Sequence, residues 1–184
     1  MAENVREQRP RGPRRQQQEE VENEFTEKII SVNRVSKTVK GGRHFGFSVL
    51  VCVGDQKGRV GIGIGKANAV PDAVKKGLDK AKRSLVTIPL YHATLTHPAT
   101  GRFGASSVIM KPAAPGTGVI AGGPVRAILD ALGVKDVLAK KIGSKNPINL
   151  AKATMQALSR MRSVDRVAKM RGINIEQVLN GQGA

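Results

Sequence analysis

The sequence contains few of the residues on which disulfide-bonded or aromatic-rich proteins depend. Cys52 is the only cysteine among 184 residues, which excludes an internal disulfide and fits a reducing compartment. Its position inside a predicted strand indicates a small core side chain. The chain has no tryptophan, and aromatic residues make up only 3% of it. Base stacking is therefore not expected to be its main mode of binding a nucleic acid.

The sequence has few of the acidic residues and histidines that catalytic sites commonly use. After residue 25 the sequence holds eight Asp and Glu residues and three His residues. No two acids form a close pair for general acid–base chemistry, and the histidines lack the spacing of metal ligands. Asp55 is interpreted as a turn residue and Asp72 as a charge at the start of a helix. We predict no catalytic residue, no metal site and no cofactor, and hence no enzyme.

Long apolar segments are lacking as well. No apolar run approaches the roughly 18 residues that a membrane helix needs. The first residues carry charges that no apolar core follows, so a secretory signal is not expected. We therefore predict a cytoplasmic protein without a membrane partner.

Positive charge is what the sequence has in excess. It holds 31 Lys and Arg residues against 14 Asp and Glu, a net charge of +17, with a pI near 10.7, which favours a polyanionic partner. Thirteen of the cations against four acids fall in residues 26–90, and ten against two fall in residues 91–162. We predict a domain in each range, after a disordered extension at 1–25 and before a short helical or frayed tail at 163–184. The RPRGPRR motif of the extension is either a phosphate-binding arm or a solvated tail.

The segment 32–67 combines strands of period two with turns of glycine and cations. One strand carries large apolar residues at every second position, which predicts a single buried face: Phe45, Phe47, Val49, Val51 and Val53. In the next strand three apolar residues alternate with Gly61, Gly63 and Gly65. A glycine stripe of this kind is typical of close approach by another backbone or a ligand. Together with the cations in the turns, the pattern indicates a surface that follows RNA phosphates.

The first domain is predicted to contain strands at 29–37, 43–54 and 59–65, followed by a helix at 71–86. Apolar residues at helical spacings of three and four predict the helix core face: Val74, Leu78, Ala81 and Leu85. Five cations and Asp79 occupy the rest of its surface, and a polyanion lying over the helix would relieve their repulsion.

The second domain is predicted to contain strands at 93–97, 105–111 and 137–142. A helix with one apolar face lies between the last two and ends at Gly133; the face is formed by Val125, Ile128, Leu129 and Leu132. Asn146 is expected to cap a helix that runs to about residue 161, and Ser163 to cap a last short helix.

Three short motifs allow other interpretations. RHFGFSVL at 43–50 partly matches the aromatic motif of RNA-recognition sheets, but the continuing apolar alternation favours a core role for Phe45 and Phe47. The GRFG motif at 101–104 fits the backbone clamp of KH domains, but a four-residue pattern with two glycines often occurs by chance in a chain with 21 glycines. GTGVIA at 116–121, with Asp136 downstream, fits a dinucleotide fingerprint, but prolines interrupt the approaching strand. That loop is expected either to hold a phosphate or to pack against a neighbouring protein.

Four longer motifs occur together in one order: VNRVSKTVKGGR, GDQKGRVGIGIGKA, PAAPGTGVIAGGPVRAIL and GSKNPINLAKAT. They closely resemble the bacterial small-subunit ribosomal protein five family, over about residues 27–153. The resemblance implies an α+β fold: an N-terminal three-stranded sheet plus helix related to double-stranded-RNA-binding domains, and a C-terminal βαβ-type domain with a left-handed crossover. The first domain departs from the double-stranded-RNA pattern because residues 1–25 supply no opening helix.

The same resemblance implies a structural constituent of the small ribosomal subunit. Its partners would be small-subunit rRNA, the fourth and eighth proteins of that subunit, and mRNA near the entry channel, with no homo-oligomer. It would support assembly at the body–head junction and translational accuracy. The alternative is a nucleotide-dependent small-molecule kinase, since the second domain resembles certain kinases in fold and its GTGVIAGG loop could hold phosphate.

From the cations, the glycines and this resemblance we predict two sets of contact residues. The glycines and threonine of the 116–118 loop form a protein interface: Gly116, Thr117 and Gly118. The rRNA-binding set is Arg34, Lys37, Lys40, Gly41, Gly42, Arg43, Lys57, Arg59, Lys66, Lys75, Lys76, Lys80, Lys82, Arg83, Lys111, Arg126 and Lys145.

Overall fold

The computed structural model describes residues 25–179, so the predicted extension up to residue 24 and the end of the predicted tail at 180–184 lie outside the described residues. The chain begins with a four-stranded antiparallel sheet of order β1-β2-β3-β4. Its elements are β1 (Thr26–Val39), β2 (Gly42–Gly54), β3 (Arg59–Ala67), α1 (Val70–Arg83) and β4 (Val86–Thr87).

A second sheet and most of the helices follow. The strands are β5 (Leu90–Tyr91), β6 (Thr94–Leu95), β7 (Ala99–Phe103), β8 (Ser106–Pro112), β9 (Val119–Ile120) and β10 (Val137–Gly143). The helices are α2 (Gly123–Leu132), α3 (Pro147–Ser159), α4 (Val164–Arg171) and α5 (Ile175–Leu179). The sheet order is β7-β8-β10-β9, and β9 is parallel to β10 with α2 between them in the chain, while β5 and β6 form a separate hairpin. The α+β class is confirmed.

The glycine stripe of β3 is filled by the backbone of α1. A Cβ atom added at Gly61, Gly63 or Gly65 would collide with main-chain carbonyls of α1. The helix presents its own small residues there: Ala73, Gly77 and Ala81, all buried. The stripe is therefore a close backbone approach, as predicted, but its partner is a helix of the same chain and it leaves no bare face for RNA.

The second half of β2, from Val49 to Gly54, is buried on both faces, so the prediction of a single buried face is wrong there. Val49, Val51 and Val53 pack under α1, whereas Leu50 and Cys52, which point the other way, belong to a core shared with α2 and α3. The sheet lies between a helix on one side and the rest of the chain on the other. Cys52 is a fully buried core residue, as predicted, and burial raises the pKa of its thiol to about 11.

The apolar alternation extends further along β2 than the buried surface does. Phe47 packs against the cluster under α1, but Phe45 is 50% exposed, so its predicted core role is wrong. The helix also ends three residues earlier than predicted, because the Ser84 amide donates to the carbonyl of Ala81 and the Ser84 hydroxyl to that of Ile62. Leu85 consequently lies outside the helix, and Val74 and Leu78 are half-buried beside the small residues.

In the second half of the chain, the predicted strand at 93–97 is reduced to the two residues of β6. His92 has a φ of 51° in the turn between β5 and β6, and only two residues pair on each side. Sequence patterning missed β7, which includes most of the GRFG motif. Gly101 lies in β7 with the carbonyl of Ala153 in α3 directly behind it, so this motif is not a nucleotide clamp.

The helices of the second half have the capping residues that the sequence predicts. The four predicted apolar residues of α2 are buried, and Gly133 ends this helix with a φ of 93°. The Asn146 side chain accepts a hydrogen bond from the Ile148 amide at the start of α3, and the Ser163 hydroxyl accepts from the Arg166 amide at the start of α4. These caps, and the strand at 137–142, are confirmed.

Candidate nucleic-acid interface

The predicted rRNA-binding residues lie on the surface, and the structure groups many of them in two regions. Lys82 is half-buried, and the remaining sixteen are exposed. Six of them are on the β1–β2 hairpin and five others are on α1. The rest occupy separate turns and strands.

The tip of the β1–β2 hairpin carries cations and makes few apolar contacts. The strands pair up to Val39 and Gly42, which leaves Lys40 and Gly41 as a two-residue turn. Gly41 has a φ of 94°, whereas Gly42 has no positive φ and continues β2, so only one of the two glycines is required by the turn. The exposed cations of the tip are Lys37, Lys40 and Arg43.

The outer surface of α1 and the end of β3 form an open groove of about 510 Å³. Its charged lining consists of Lys66 from β3 and a stripe at helical spacing on α1: Lys76, Asp79, Lys80 and Arg83. Four cations thus face one carboxylate across the groove. Beyond Val60, no strand within residues 25–179 pairs with β3 on this side, because β4 pairs only with Arg59 and Val60. Such a groove, which we call the α1 groove, suits a chain of phosphates.

Some predicted cations already have partners within the chain. The Lys82 ammonium lies 3.3 Å from Glu27, and the Arg126 guanidinium 3.9 Å from Asp130. Arg59 donates through Nε to Asp55 at 2.7 Å. Their charges are partly neutralised, so they are weaker candidates for phosphate contacts than the cations of the α1 groove. No ion pair within residues 25–179 involves Lys37, Lys40 or Arg43.

Four other predicted cations lie outside the hairpin tip and the α1 groove. Lys57 is exposed in the turn before β3, Lys111 at the end of β8, and Lys145 between β10 and α3. Lys75 is exposed on α1 but does not line the α1 groove. The structure therefore does not gather these four into the groove that Lys66, Lys76, Lys80 and Arg83 share.

The predicted protein-interface loop is held by its own hydrogen bonds. Gly116 and Gly118 have φ values of 88° and 77°, and an added Cβ at either would meet no atom within 4 Å. The Gly118 amide donates to the buried carboxylate of Asp136 at 2.9 Å, and Thr117 donates through its amide and hydroxyl to the carbonyl of Ala114. Asp136 therefore stabilises the loop. The Gly118 amide that a nucleotide phosphate would need is already bonded to its carboxylate.

A second basic concavity was not predicted from the sequence. It lies between α4, α5, the end of α3 and the segment before β7, with Val164, Val167 and Met170 among its apolar residues. The Arg162 amide donates to His97 Nε2 at 3.3 Å. Three arginines line it: Arg160, Arg162 and Arg171. Arg160 and Arg162 lie two residues apart between α3 and α4, whereas Arg171 is the last residue of α4, so the packing of α4 is what brings the third arginine to the other two.

Two kinds of site are missing from the part of the chain that the structure describes. No three His, Cys, Asp or Glu side chains there come together in a way that could hold a metal ion. None of the helices between residues 25 and 179 is long and apolar enough to cross a membrane.

The chain matches both domain profiles of one family. "Ribosomal protein S5, N-terminal domain" matches residues 25–89, and "Ribosomal protein S5, C-terminal domain" matches residues 101–171. Similar curated proteins carry the name small ribosomal subunit protein uS5. The one from Syntrophobacter fumaroxidans is 52% identical over 84% of this chain and 93% of its own length.

Two further relatives with the same name extend this similarity. The Phenylobacterium zucineum protein is 51% identical over 92% of this chain and 87% of its own length. The Legionella pneumophila (strain Corby) protein is 54% identical over 85% of this chain and 94% of its own length. The chain therefore belongs to the ribosomal protein S5 family, whose members are structural proteins of the cytoplasmic ribosome and not enzymes.

Proposed function

We propose that this protein is a structural constituent of the small ribosomal subunit that binds small-subunit rRNA through the β1–β2 hairpin and the α1 groove. The observation that carries this proposal is the α1 groove, in which Lys66, Lys76, Lys80 and Arg83 face a single carboxylate. Cations placed side by side without matching acids repel one another in the free protein. Phosphates of a bound RNA would relieve that repulsion and release counterions.

The proposed position in the subunit is the junction of body and head. There the protein would support assembly and contribute to translational accuracy as a single copy. The fourth and eighth proteins of the subunit are the proposed protein neighbours, with mRNA passing nearby at the entry channel. The loop of Gly116, Thr117 and Gly118 is the proposed protein interface, since Gly116 and Thr117 are exposed and its hydrogen bonds fix its shape.

We also propose the finer features of the fold that the family resemblance implies. Residues 26–90 would form a domain related to double-stranded-RNA-binding modules, which the placement of α1 over β2 and β3 supports. Residues 91–162 would form the second domain, with a left-handed crossover and the parallel β9 and β10 as its βαβ unit. Residues 163–184 would be the tail.

The experiment that tests the function is crosslinking in cells followed by sequencing of the attached RNA. Recovery of one contiguous region of small-subunit rRNA is expected. The same crosslinking of a variant with Lys76, Lys80 and Arg83 changed to Glu is expected to lose signal from that region. Scattered mRNA or tRNA fragments would contradict the proposal.

Nothing supports the alternative of a small-molecule kinase. The loop that would hold the phosphate has its Gly118 amide bonded to Asp136. The described residues also lack a cluster that could hold a metal ion.

A further inference from the structure

Phe45 is exposed although it continues the face of β2 that α1 buries further along the strand. Val49, four residues further along the same face of β2, is fully buried, yet Phe45 is 50% exposed. On the same face of β1, Ile29 and Val32 are 56% and 45% exposed. Helix α1 packs on β2 and β3 and does not cover this strip. Exposed apolar side chains beside cations offer a surface that a partner with both apolar and anionic groups could cover.

The guanidinium of Arg34 is a second planar group, and it lies over the exposed ring of Phe45. Its guanidinium carbon lies 4.0 Å from the centroid of the Phe45 ring. Arg34 pairs across the strands with Phe47, and Phe45 with Ser36, so Arg34 reaches the ring along the diagonal of the sheet. A guanidinium stacks on aromatic faces while keeping its charge and its hydrogen-bond donors. The pair therefore offers flat surface and positive charge in one place.

The phosphate-binding groups that would accompany a base are on the same hairpin. Arg43 lies two residues before Phe45 and shares its face of the sheet. Lys37 and Lys40 are exposed next to it. A base stacked at Phe45 would thus have cations close to its own backbone. Cations in this number argue for a nucleic acid over an apolar protein surface.

We propose that Phe45 and Arg34 form a stacking site for one unpaired nucleobase, so that the hairpin recognises a bulged or looped nucleotide of the RNA. This inference rests on the proposed rRNA-binding function and adds a ligand to it. Bases inside a duplex already have both faces covered by neighbouring bases, whereas an unpaired base has a free face. Stacking on an aromatic ring tolerates any base. The site requires an unpaired nucleotide rather than a particular sequence.

The test compares two RNA duplexes of equal length bound by the full-length protein. One is fully paired, and the other carries a single unpaired 2-aminopurine. The wild-type protein is expected to prefer the bulged duplex and to quench the probe. In Phe45→Leu the ratio of affinities for the bulged and the fully paired duplex is expected to fall by about 5- to 150-fold. This is the usual effect of removing one base–aromatic stack. Its salt dependence should be unchanged, since no phosphate contact is lost.

Three further variants make the result specific. Phe45→Tyr should retain the preference, and Arg34→Lys, which keeps the charge but not the plane, should weaken it. Phe103→Leu is the matched control, because Phe103 is 40% exposed with the Lys152 ammonium 4.7 Å from its ring, yet lies on β7. It should bind both duplexes like the wild type.

The inference and the proposed function fail in different ways. Equal binding of both duplexes by the wild type, or an unchanged preference in Phe45→Leu, would overturn the stacking site and leave rRNA binding intact. An unchanged preference would also be the result if Phe45 contacted a protein. Failure of the wild type to bind either duplex would overturn both.

Discussion

At the scale of single residues, Asp55 holds the turn between β2 and β3. Its carboxylate accepts hydrogen bonds from the amides of Lys57 and Arg59 at 2.8 and 2.9 Å, and from Arg59 Nε at 2.7 Å. Burial opposes its ionisation, but these bonds outweigh the burial and lower the pKa of the carboxyl group. The same turn donates two backbone hydrogen bonds to the end of α2. One carboxylate therefore shapes a contact between the first sheet and the helix behind it.

We expect Asp55→Asn to lower the free energy of unfolding at pH 7 by about 1–3 kcal/mol, because bonds to a charged acceptor become bonds to a neutral one. The folded pKa is below the unfolded value of about 3.9, so the stabilisation is complete above about pH 5 and disappears as pH falls through the folded pKa. Urea unfolding of both proteins between pH 7 and pH 2 measures it. A difference that did not change with pH would show that the charge is irrelevant.

Residues of this kind could be predicted from the sequence, whereas Phe45 could not. Asp55 stands next to a turn glycine and Cys52 stands amid apolar residues, and local sequence is enough to interpret both. The alternation along β2 shows which side of the strand Phe45 is on. It does not show how far α1 extends over that side, since this depends on where the helix ends and how it crosses the sheet.

At the scale of elements, α1 has two faces with different roles. Its small residues Ala73, Gly77 and Ala81 fit against the glycines of β3, which fixes the helix close to the sheet. Its opposite surface carries the cations of the α1 groove. The two small-residue periodicities, one of two residues and one of four, are both visible in the sequence. Reading them together would have identified α1 as the partner of the glycine stripe.

The first element-scale prediction concerns the cations of α1. We expect reversal of Lys76, Lys80 and Arg83 to Glu to leave the fold intact, because all three side chains are exposed and avoid the small-residue face. Incorporation into small subunits should fall markedly, since phosphates would meet acids in the groove. Circular dichroism and sucrose-gradient analysis of tagged protein measure the two effects.

A matched control carries the same change of charge elsewhere. Lys135, Lys140 and Lys169 are exposed and lie outside the predicted rRNA-binding set. Their reversal to Glu should reduce incorporation much less. Equal losses in the two variants would mean that only the net charge matters, and unfolding of the α1 variant would mean that its outer face is structural.

The second element-scale prediction concerns the hairpin. Removing the pairs Thr38–Arg43 and Val39–Gly42 while keeping the Lys40-Gly41 turn shortens it by four residues and preserves the strand register. Because the tip has few buried residues, the melting temperature should change by no more than a few degrees. Translation by reconstituted subunits should be impaired. A large loss of melting temperature with normal translation would show the hairpin to be structural.

At the scale of the whole molecule, one core joins the first sheet to the second half of the chain. Leu50, Cys52 and Val60 belong to the same buried cluster as residues of α2 and α3. Lys28 of β1 pairs with Asp130 of α2 at 2.9 Å. The sequence predicted where charge blocks begin and end. The continuous apolar run at 49–53 is typical of a strand buried on both faces, but it does not show that α2 and α3 cover the second face, because that depends on long-range packing.

The last prediction concerns this whole charged molecule. Since both the first sheet region and the second half carry an excess of cations, binding to small-subunit rRNA should weaken linearly with the logarithm of salt concentration, with a slope of about 0.7–0.9 per phosphate contact. Filter binding between low and physiological salt measures the slope. The α1 variant should reduce it by about two to three, one for each cation lost from a phosphate. The Phe45→Leu variant should reduce affinity at every salt concentration with the slope unchanged. An affinity that stays flat with salt in the wild type would contradict phosphate binding by either region.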